Sequence, residues 1–168
     1  MDEKSIGTAA LSKAVLSLYE EGFDGPAGSS TWFTDGGPGS GFLGTIEGLS
    51  AAEASRPLHQ GDPVSLASHV AHLQYSLSLA NRAAKGENPY KDANWSLAWK
   101  TQRVEEAEWR ALVGGLRFEY EAFKKVLAAG WEWADADSLT GAIATVAHGA
   151  WHLGAIRQAL GLVKAPKT

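Results

Sequence analysis

The stretch at 62–86, DPVSLASHVAHLQYSLSLANRAAKG, has the most complete helical signal in the chain. Asp62–Pro63 suit an N-cap and a first helical position, and Gly86 suits a C-terminal stop. Apolar side chains recur between them at the spacing of one helical face. Because His69 and His72 lie within this pattern, the sequence predicts a helix that carries two imidazoles about one turn apart.

Four further stretches have helical patterns, and we predict no strand. Their expected bounds are Ser5–Glu21, Gly41 or Phe42 to Ser55, Gln102–Ala129 and Leu139–Leu160, followed by Gly22, Pro57, Gly130 and Gly161. Gly ends helices and Pro cannot continue them, so these residues set the boundaries. Gly114-Gly115, inside the fourth helix, indicates close approach of another helix or a kink. The pattern predicts an all-α chain of bundle type.

Two long connections carry large aromatic side chains. The Gly/Ser/Pro-rich loop at 24–41 contains Trp32-Phe33, and the crossover at 87–101 contains Trp95 and Trp99. Flexible linkers seldom carry large aromatics. We therefore expect both connections to pack on the body of the protein.

Length and composition exclude several classes of protein. The 168 residues suit one domain, and the absence of Cys excludes disulfides, iron–sulfur clusters, thiolate zinc sites and a cysteine nucleophile. A formal net charge of −4 gives no basic surplus for nucleic acid. The opening Met1–Lys4 lacks a secretory pattern, and the apolar stretch at 139–163 carries two His and one Arg. We expect a cytoplasmic protein that binds neither nucleic acid nor membrane.

Histidine is the unusual part of the reactive inventory. His69 and His72 share one face of the third helix, and His148 and His152 share one face of the fifth. Two imidazoles four residues apart can bind one metal ion, and a third from a facing helix leaves a coordination position open. Unligated surface or core histidines are the alternative, and His59 is expected in an exposed loop. The two faces also carry small or hydroxylated residues: Ser65, Ser68 and Ser76, and Gly141, Thr145 and Ala155.

Several sharper motifs are absent from the sequence. His148-Gly-Ala-Trp-His152 lacks the Glu of an H-E-x-x-H protease motif, and no Glu-x-x-His pair is present for a di-iron centre. No phosphate-binding loop or Gly-x-Ser-x-Gly elbow occurs either. No general base is therefore assigned. Arg157 is expected as a surface cation or a contact for an anionic group, and Trp151 is expected to pack between helices.

The histidine segments resemble the DinB-like superfamily, which includes the YfiT-type metal hydrolases. Val146–Leu160 is similar to its last-helix signature, His-x-x-x-His-hydrophobic-Gly-x-Ile. Ser65–Leu73 resembles its earlier helix, where one metal-binding His precedes Leu or Ile, and Gly48–Ser55 resembles the end of its first bundle helix. The match spans Phe42–Leu162, about three-quarters of the chain.

The resemblance implies a four-helix bundle at 42–162 with a long crossover between its second and third helices. Residues 1–41 then add an extra N-terminal helix and a Gly-rich loop to the single domain at 1–168. It also implies a divalent metal ion held by three histidines, His72, His148 and His152. His69, one turn from His72, is the alternative ligand, or else a hydrogen-bond donor behind the ligands or a substrate contact. Zinc or nickel is expected, with iron or manganese as alternatives.

Related bundles include thiol S-transferases, which use a low-molecular-weight thiol, and an isomerase of the maleylpyruvate type. Because this chain has no Cys, a thiol nucleophile would arrive with a cosubstrate. The expected function is a metal-dependent thiol S-transferase or hydrolase that acts on a small, electrophilic molecule, in a homodimer. The alternatives are a non-enzymatic stress-related binding protein and a structural helical dimer with unligated histidines.

Overall fold

The computed structural model describes residues 7–58, 61, 63–130 and 135–163. Within these residues the chain forms seven α-helices and no strand, which confirms the predicted all-α class. Their bounds are α1 Thr8–Asp24, α2 Phe42–Ile46, α3 Ala51–Ala54, α4 Leu66–Ala83, α5 Trp95–Ala98, α6 Glu106–Ala128 and α7 Ala136–Val163. A 3₁₀ helix at Pro89–Asp92 lies in the crossover between α4 and α6.

The four long helices α1, α4, α6 and α7 surround the hydrophobic core. Both α1 and α4 pack against α6 and α7. Helices α1, α4 and α6 each present an apolar face, whereas apolar residues are spread around α7, and burial of this apolar surface drives the packing. The helix α1, expected as an addition to the bundle, contributes Tyr19 and Phe23 to the same core. Fully buried partners from the other helices are Leu66, Leu73, Leu77, Leu116, Tyr120, Phe123 and Ile156.

The prediction of a single helix from Gly41 or Phe42 to Ser55 is wrong. The segment forms α2 and α3, separated by a turn in which Gly48 has a positive φ of 75°. Ser50 caps α3, and its backbone N–H donates to Glu53 Oε2 at 2.8 Å. This is the Ser-x-x-Glu capping box, a sequence signal for a helix start that the apolar pattern obscured.

The start of α4 also differs from the prediction. Pro63 is not helical, and α4 begins at Leu66 after an N-cap at Ser65. The Ser65 side chain accepts a hydrogen bond from the backbone N–H of Ser68 at 3.3 Å. The other residue predicted to cap this helix, Asp62, lies outside the described residues.

The bounds of three long helices differ from the prediction. Helix α1 continues through Gly22 to Asp24, and α6 begins at Glu106 rather than Gln102, after an N-cap at Glu105. Gly161 does not end α7, which continues to Val163. The helix α6 is continuous through Gly114-Gly115, and a Cβ at Gly115 would collide with the Gln74 amide of α4. The predicted close approach of another helix is therefore confirmed at Gly115. Among the described residues, no helix is long and apolar enough to cross a membrane.

The Gly-rich loop between α1 and α2 is fixed by a buried carboxylate. Glu21 of α1 accepts hydrogen bonds from the backbone N–H groups of Trp32, Phe33 and Thr34 at 2.8–3.0 Å. The hydroxyls of Thr31 and Thr34 donate to it at 2.5 and 2.9 Å. Burial raises the pKa of Glu21, but these hydrogen bonds outweigh burial and lower the pKa to about 2.

The same loop is also fixed from α7. Arg157 donates to the backbone oxygens of Thr34, at 2.7 Å, and of Ser40. It is thus a structural donor, which corrects the expectation of a surface cation or an anion contact. The loop packs on the body as predicted. Trp32 does not contribute to this packing as expected, because the residue is 76% exposed.

Candidate metal centre

Three of the five histidines come together where α4 packs against α7. His72, His148 and His152 each offer a ring nitrogen, and these nitrogens lie within 4.8 Å of one another. His72 and His152 are buried, and His148 is partly buried. They are the three residues predicted from the sequence, and they lie close enough to hold a metal ion. His59 lies outside the described residues.

The two histidines of α7 already face each other. Their spacing of four residues places the Nε2 atoms of His148 and His152 3.0 Å apart. Two imidazole nitrogens on one tetrahedral ion, each at about 2.0–2.1 Å, lie roughly 3.3 Å from each other. The observed separation of 3.0 Å is close to that distance.

The opposite nitrogens of both rings are held by α4. His148 Nδ1 lies 3.1 Å from Ser76 Oγ, and His152 Nδ1 lies 2.8 Å from His69 Nδ1. Metal-binding histidines characteristically hydrogen-bond through the nitrogen that does not bind the metal, which fixes the tautomer and the ring orientation. His69 therefore lies behind the three-histidine group, and His72 is the member of the group from α4.

His72 supplies an independent test of whether a cation fits. Its Nδ1 atom is buried and has no hydrogen-bond partner among the described residues. Buried polar atoms are rarely left unpaired, because the lost hydration is not replaced. The indole of Trp99 stacks on this imidazole with ring centroids 4.4 Å apart, which holds the ring in place. An unpaired nitrogen in a fixed ring is what a metal ligand requires.

The site keeps its imidazoles neutral. Burial, together with the neighbouring His148 and His69, lowers the pKa of His72 to about 4. Burial and the other three histidines lower the pKa of His152 to about 2, and burial lowers the pKa of His148. At neutral pH the rings are therefore in the unprotonated form that binds metal ions.

Aromatic side chains of the crossover cover the histidines together with Trp151 of α7, whose ring lies edge-on to His152 with centroids 4.7 Å apart. Sequence reasoning did not place the crossover there. Trp99 contacts His72 and also lies edge-on to His69, with centroids 5.2 Å apart. Trp95 lies 5.8 Å from the ring of His72. Trp151 does not pack between helices as predicted, since its side chain is 60% exposed. The aromatic content of the crossover predicted packing, but not its target.

The small and hydroxylated residues near the histidines have divided roles. Ser65 and Ser68 donate to the backbone oxygens of Gln102 and Thr101, at 2.8 and 3.0 Å, and so attach the end of the crossover to α4. Ser76 alone among these serines contacts a histidine of the group. Gly141 and Thr145 of α7 line a cleft together with His72 and His148.

No family model, curated protein or solved structure matches this chain. The described residues by themselves define an all-helical protein with a possible histidine metal site. Membership of the DinB-like superfamily stays a prediction, carried by the histidine segments of α4 and α7.

Proposed function

We propose that this protein binds a divalent metal ion through His72, His148 and His152. The convergence of three neutral ring nitrogens from two helices carries the proposal. Three protein ligands leave a coordination position for a small molecule, which is the arrangement of catalytic rather than structural zinc sites. Zinc or nickel suits three imidazoles, and iron or manganese is the alternative.

We also propose that the chain is a four-helix bundle of the DinB-like type. Its four members would be α1, α4, α6 and α7, and the crossover at 84–105 would join the second to the third. Two observations support this: α1 and α4 each pack against α6 and α7, and the histidines lie on the second and fourth of these helices. In this arrangement α1, rather than the segment at 42–55, is the first helix of the bundle.

The proposed activity is that of a thiol S-transferase, with hydrolysis as the alternative. A divalent ion lowers the pKa of a coordinated thiol or water and so supplies a nucleophile. The described lining of the cleft contains no carboxylate or amine that would take up a proton. A free thiol, with a pKa of about 8.5, needs a much smaller shift than water at about 15.7. Because the chain has no Cys, that thiol would be a cosubstrate.

Metal content of tag-free protein tests the site. We expect about one equivalent in the native protein and in His59→Ala, a control that also removes one histidine. His148→Ala and His152→Ala should lose the metal while keeping their helical circular dichroism. Equal trace metal in all four proteins would overturn the proposed site.

Turnover tests the activity. Metal-loaded and metal-stripped protein should be assayed with a panel of low-molecular-weight thiols and electrophiles, and with hydrolysable esters without a thiol. We expect metal-dependent, thiol-dependent consumption of an electrophile that is lost in His148→Ala. Ester cleavage without a thiol would favour the hydrolase. Stoichiometric metal without any turnover would favour a non-enzymatic binding protein.

A further inference from the structure

A cleft of about 490 Å³ lies beside the three-histidine group. His72 and His148 are among the residues that line it. One wall comes from the crossover and the other from α7, and the described lining residues besides these histidines and Ser76 are Tyr90, Trp95, Gly141, Ala144 and Thr145. A molecule bound to the proposed metal ion would extend into this cleft.

The crossover wall is aromatic and is held in position. Trp95 packs edge-on against Tyr75 of α4, with ring centroids 5.7 Å apart. The Tyr75 hydroxyl in turn accepts a hydrogen bond from the backbone N–H of Asn94 at 2.9 Å. Trp95 is still 41% exposed and Tyr90 is 51% exposed, so both rings retain apolar surface that a ligand can cover.

The α7 wall is small, and its polar group is already engaged. The Thr145 hydroxyl donates to the backbone oxygen of Gly141 at 2.9 Å. Ser76 Oγ, which reaches the cleft from α4, is hydrogen-bonded to His148 Nδ1. No atom lies within 4 Å of a Cβ built on Gly141, so this wall has open space in front of it. Among the described lining residues there is no Asp, Glu, Lys or Arg.

We propose that the cleft takes an uncharged, flat, apolar group, such as an aromatic ring, of a small molecule whose donor atom reaches the metal centre. The proposal rests on the proposed function and specifies its substrate class. A ring between Trp95 and the small residues of α7 would gain stacking and hydrophobic burial. A carboxylate in the same position would lose its hydration without a cationic partner.

Three metal-binding imidazoles test this substrate class on the cobalt-loaded protein: the uncharged imidazole and 4-phenylimidazole, and the anionic 4-(4-carboxyphenyl)imidazole. Burial of the phenyl ring should make the second bind about thirtyfold more tightly than the first. The carboxylate should remove most of that gain. Equal affinities for imidazole and 4-phenylimidazole would overturn the inference and leave the metal site intact, and tight binding of the carboxylate would overturn the preference for an uncharged group.

Trp95→Ala should abolish the phenyl gain, whereas Trp95→Phe should keep most of it. Phe118→Ala is the matched control, because Phe118 is also an exposed aromatic, 71% accessible on α6, but does not line the cleft. A similar loss in both alanine variants would contradict the assignment of the ring to this cleft.

A second measurement does not depend on the metal. In ¹⁵N-labelled metal-free protein, naphthalene should shift the indole N–H signal of Trp95, assigned by its absence in Trp95→Phe. If the protein binds no metal, the proposed function fails, yet this shift would still support an apolar cleft. An unshifted Trp95 signal at saturating naphthalene would overturn the inference whatever the metal content.

Discussion

Replacing Glu21 by Gln should destabilise the protein by about 3 kcal/mol. Hydrogen bonds to a charged acceptor contribute about 1.5–3 kcal/mol each, against about 0.5–1.5 kcal/mol for neutral pairs. The Glu21 carboxylate, only 4% exposed, accepts from three backbone N–H groups and two hydroxyls. A Gln amide removes the charge from all of these bonds and turns an N–H₂ group toward one of the donors. For a chain of this length the loss corresponds to a decrease in Tm of roughly 10 °C.

The effect should also depend on pH in a defined direction. The pKa of Glu21 is lowered from 4.5 to about 2 on folding, so its stabilising contribution is complete above pH 4.5. That contribution is lost as the pH falls from 4.5 toward 2, because protons then bind preferentially to the unfolded chain. The free-energy difference between native protein and Glu21→Gln should therefore shrink over this window.

Urea unfolding followed by tryptophan fluorescence at pH 7, 5, 4 and 3 measures both effects. The control is Glu47→Gln, which changes an exposed carboxylate and should alter the free energy of unfolding by less than about 0.5 kcal/mol. A loss below about 1 kcal/mol for Glu21→Gln at pH 7, or a loss that is the same at pH 7 and pH 3, would refute the reasoning.

Three further substitutions probe the site and the packing. His69→Leu removes the hydrogen bond to His152 Nδ1 and should weaken zinc binding about 10–100-fold in equilibrium dialysis. His69→Asn should restore part of the affinity, and an unchanged affinity in His69→Leu would argue against a supporting role for His69. Gly114→Ala, in open space on α6, should raise the free energy of unfolding by about 0.5–1 kcal/mol. Gly115→Ala should raise it by less, because the new Cβ displaces the Gln74 side chain of α4. Equal increases in the two variants would contradict the close approach at Gly115. Trp109→Phe removes the buried hydrogen bond from the indole N–H to the backbone oxygen of Leu49, at 2.8 Å. Chemical denaturation should show a free energy of unfolding lower by about 1–3 kcal/mol, and an unchanged value would show that this bond is dispensable.

The positions of the long helices could be predicted because their apolar residues follow a helical period. Glycine was a poorer signal for where they end, since Gly22 lies inside α1. The break at 47–50 was missed, since α2 and α3 are too short for a period to show. The end of α7 was misplaced for a different reason. Gly161 has no positive φ, so α7 continues through a glycine that was predicted to end it.

The histidine group was predictable in part. His148 and His152 share a face by their spacing alone. His69 and His72 also share a face, so spacing could not decide which of them joins His148 and His152 in the three-histidine group. That choice depends on how α4 is rotated against α7, a property of tertiary packing. The positions of Trp99 and Arg157 depend in the same way on contacts between distant segments, which no local pattern records.

The attachment of the Gly-rich loop has a consequence for the order of folding. Arg157 and its acceptor at Thr34 are 123 positions apart along the chain. Glu21 can organise the loop locally once α1 has formed, but the loop receives its second set of hydrogen bonds only after α7 has docked. Closing a contact of such long range costs more chain entropy than closing a local one. The early part of the sequence therefore reaches its final form only when the last described helix is in place.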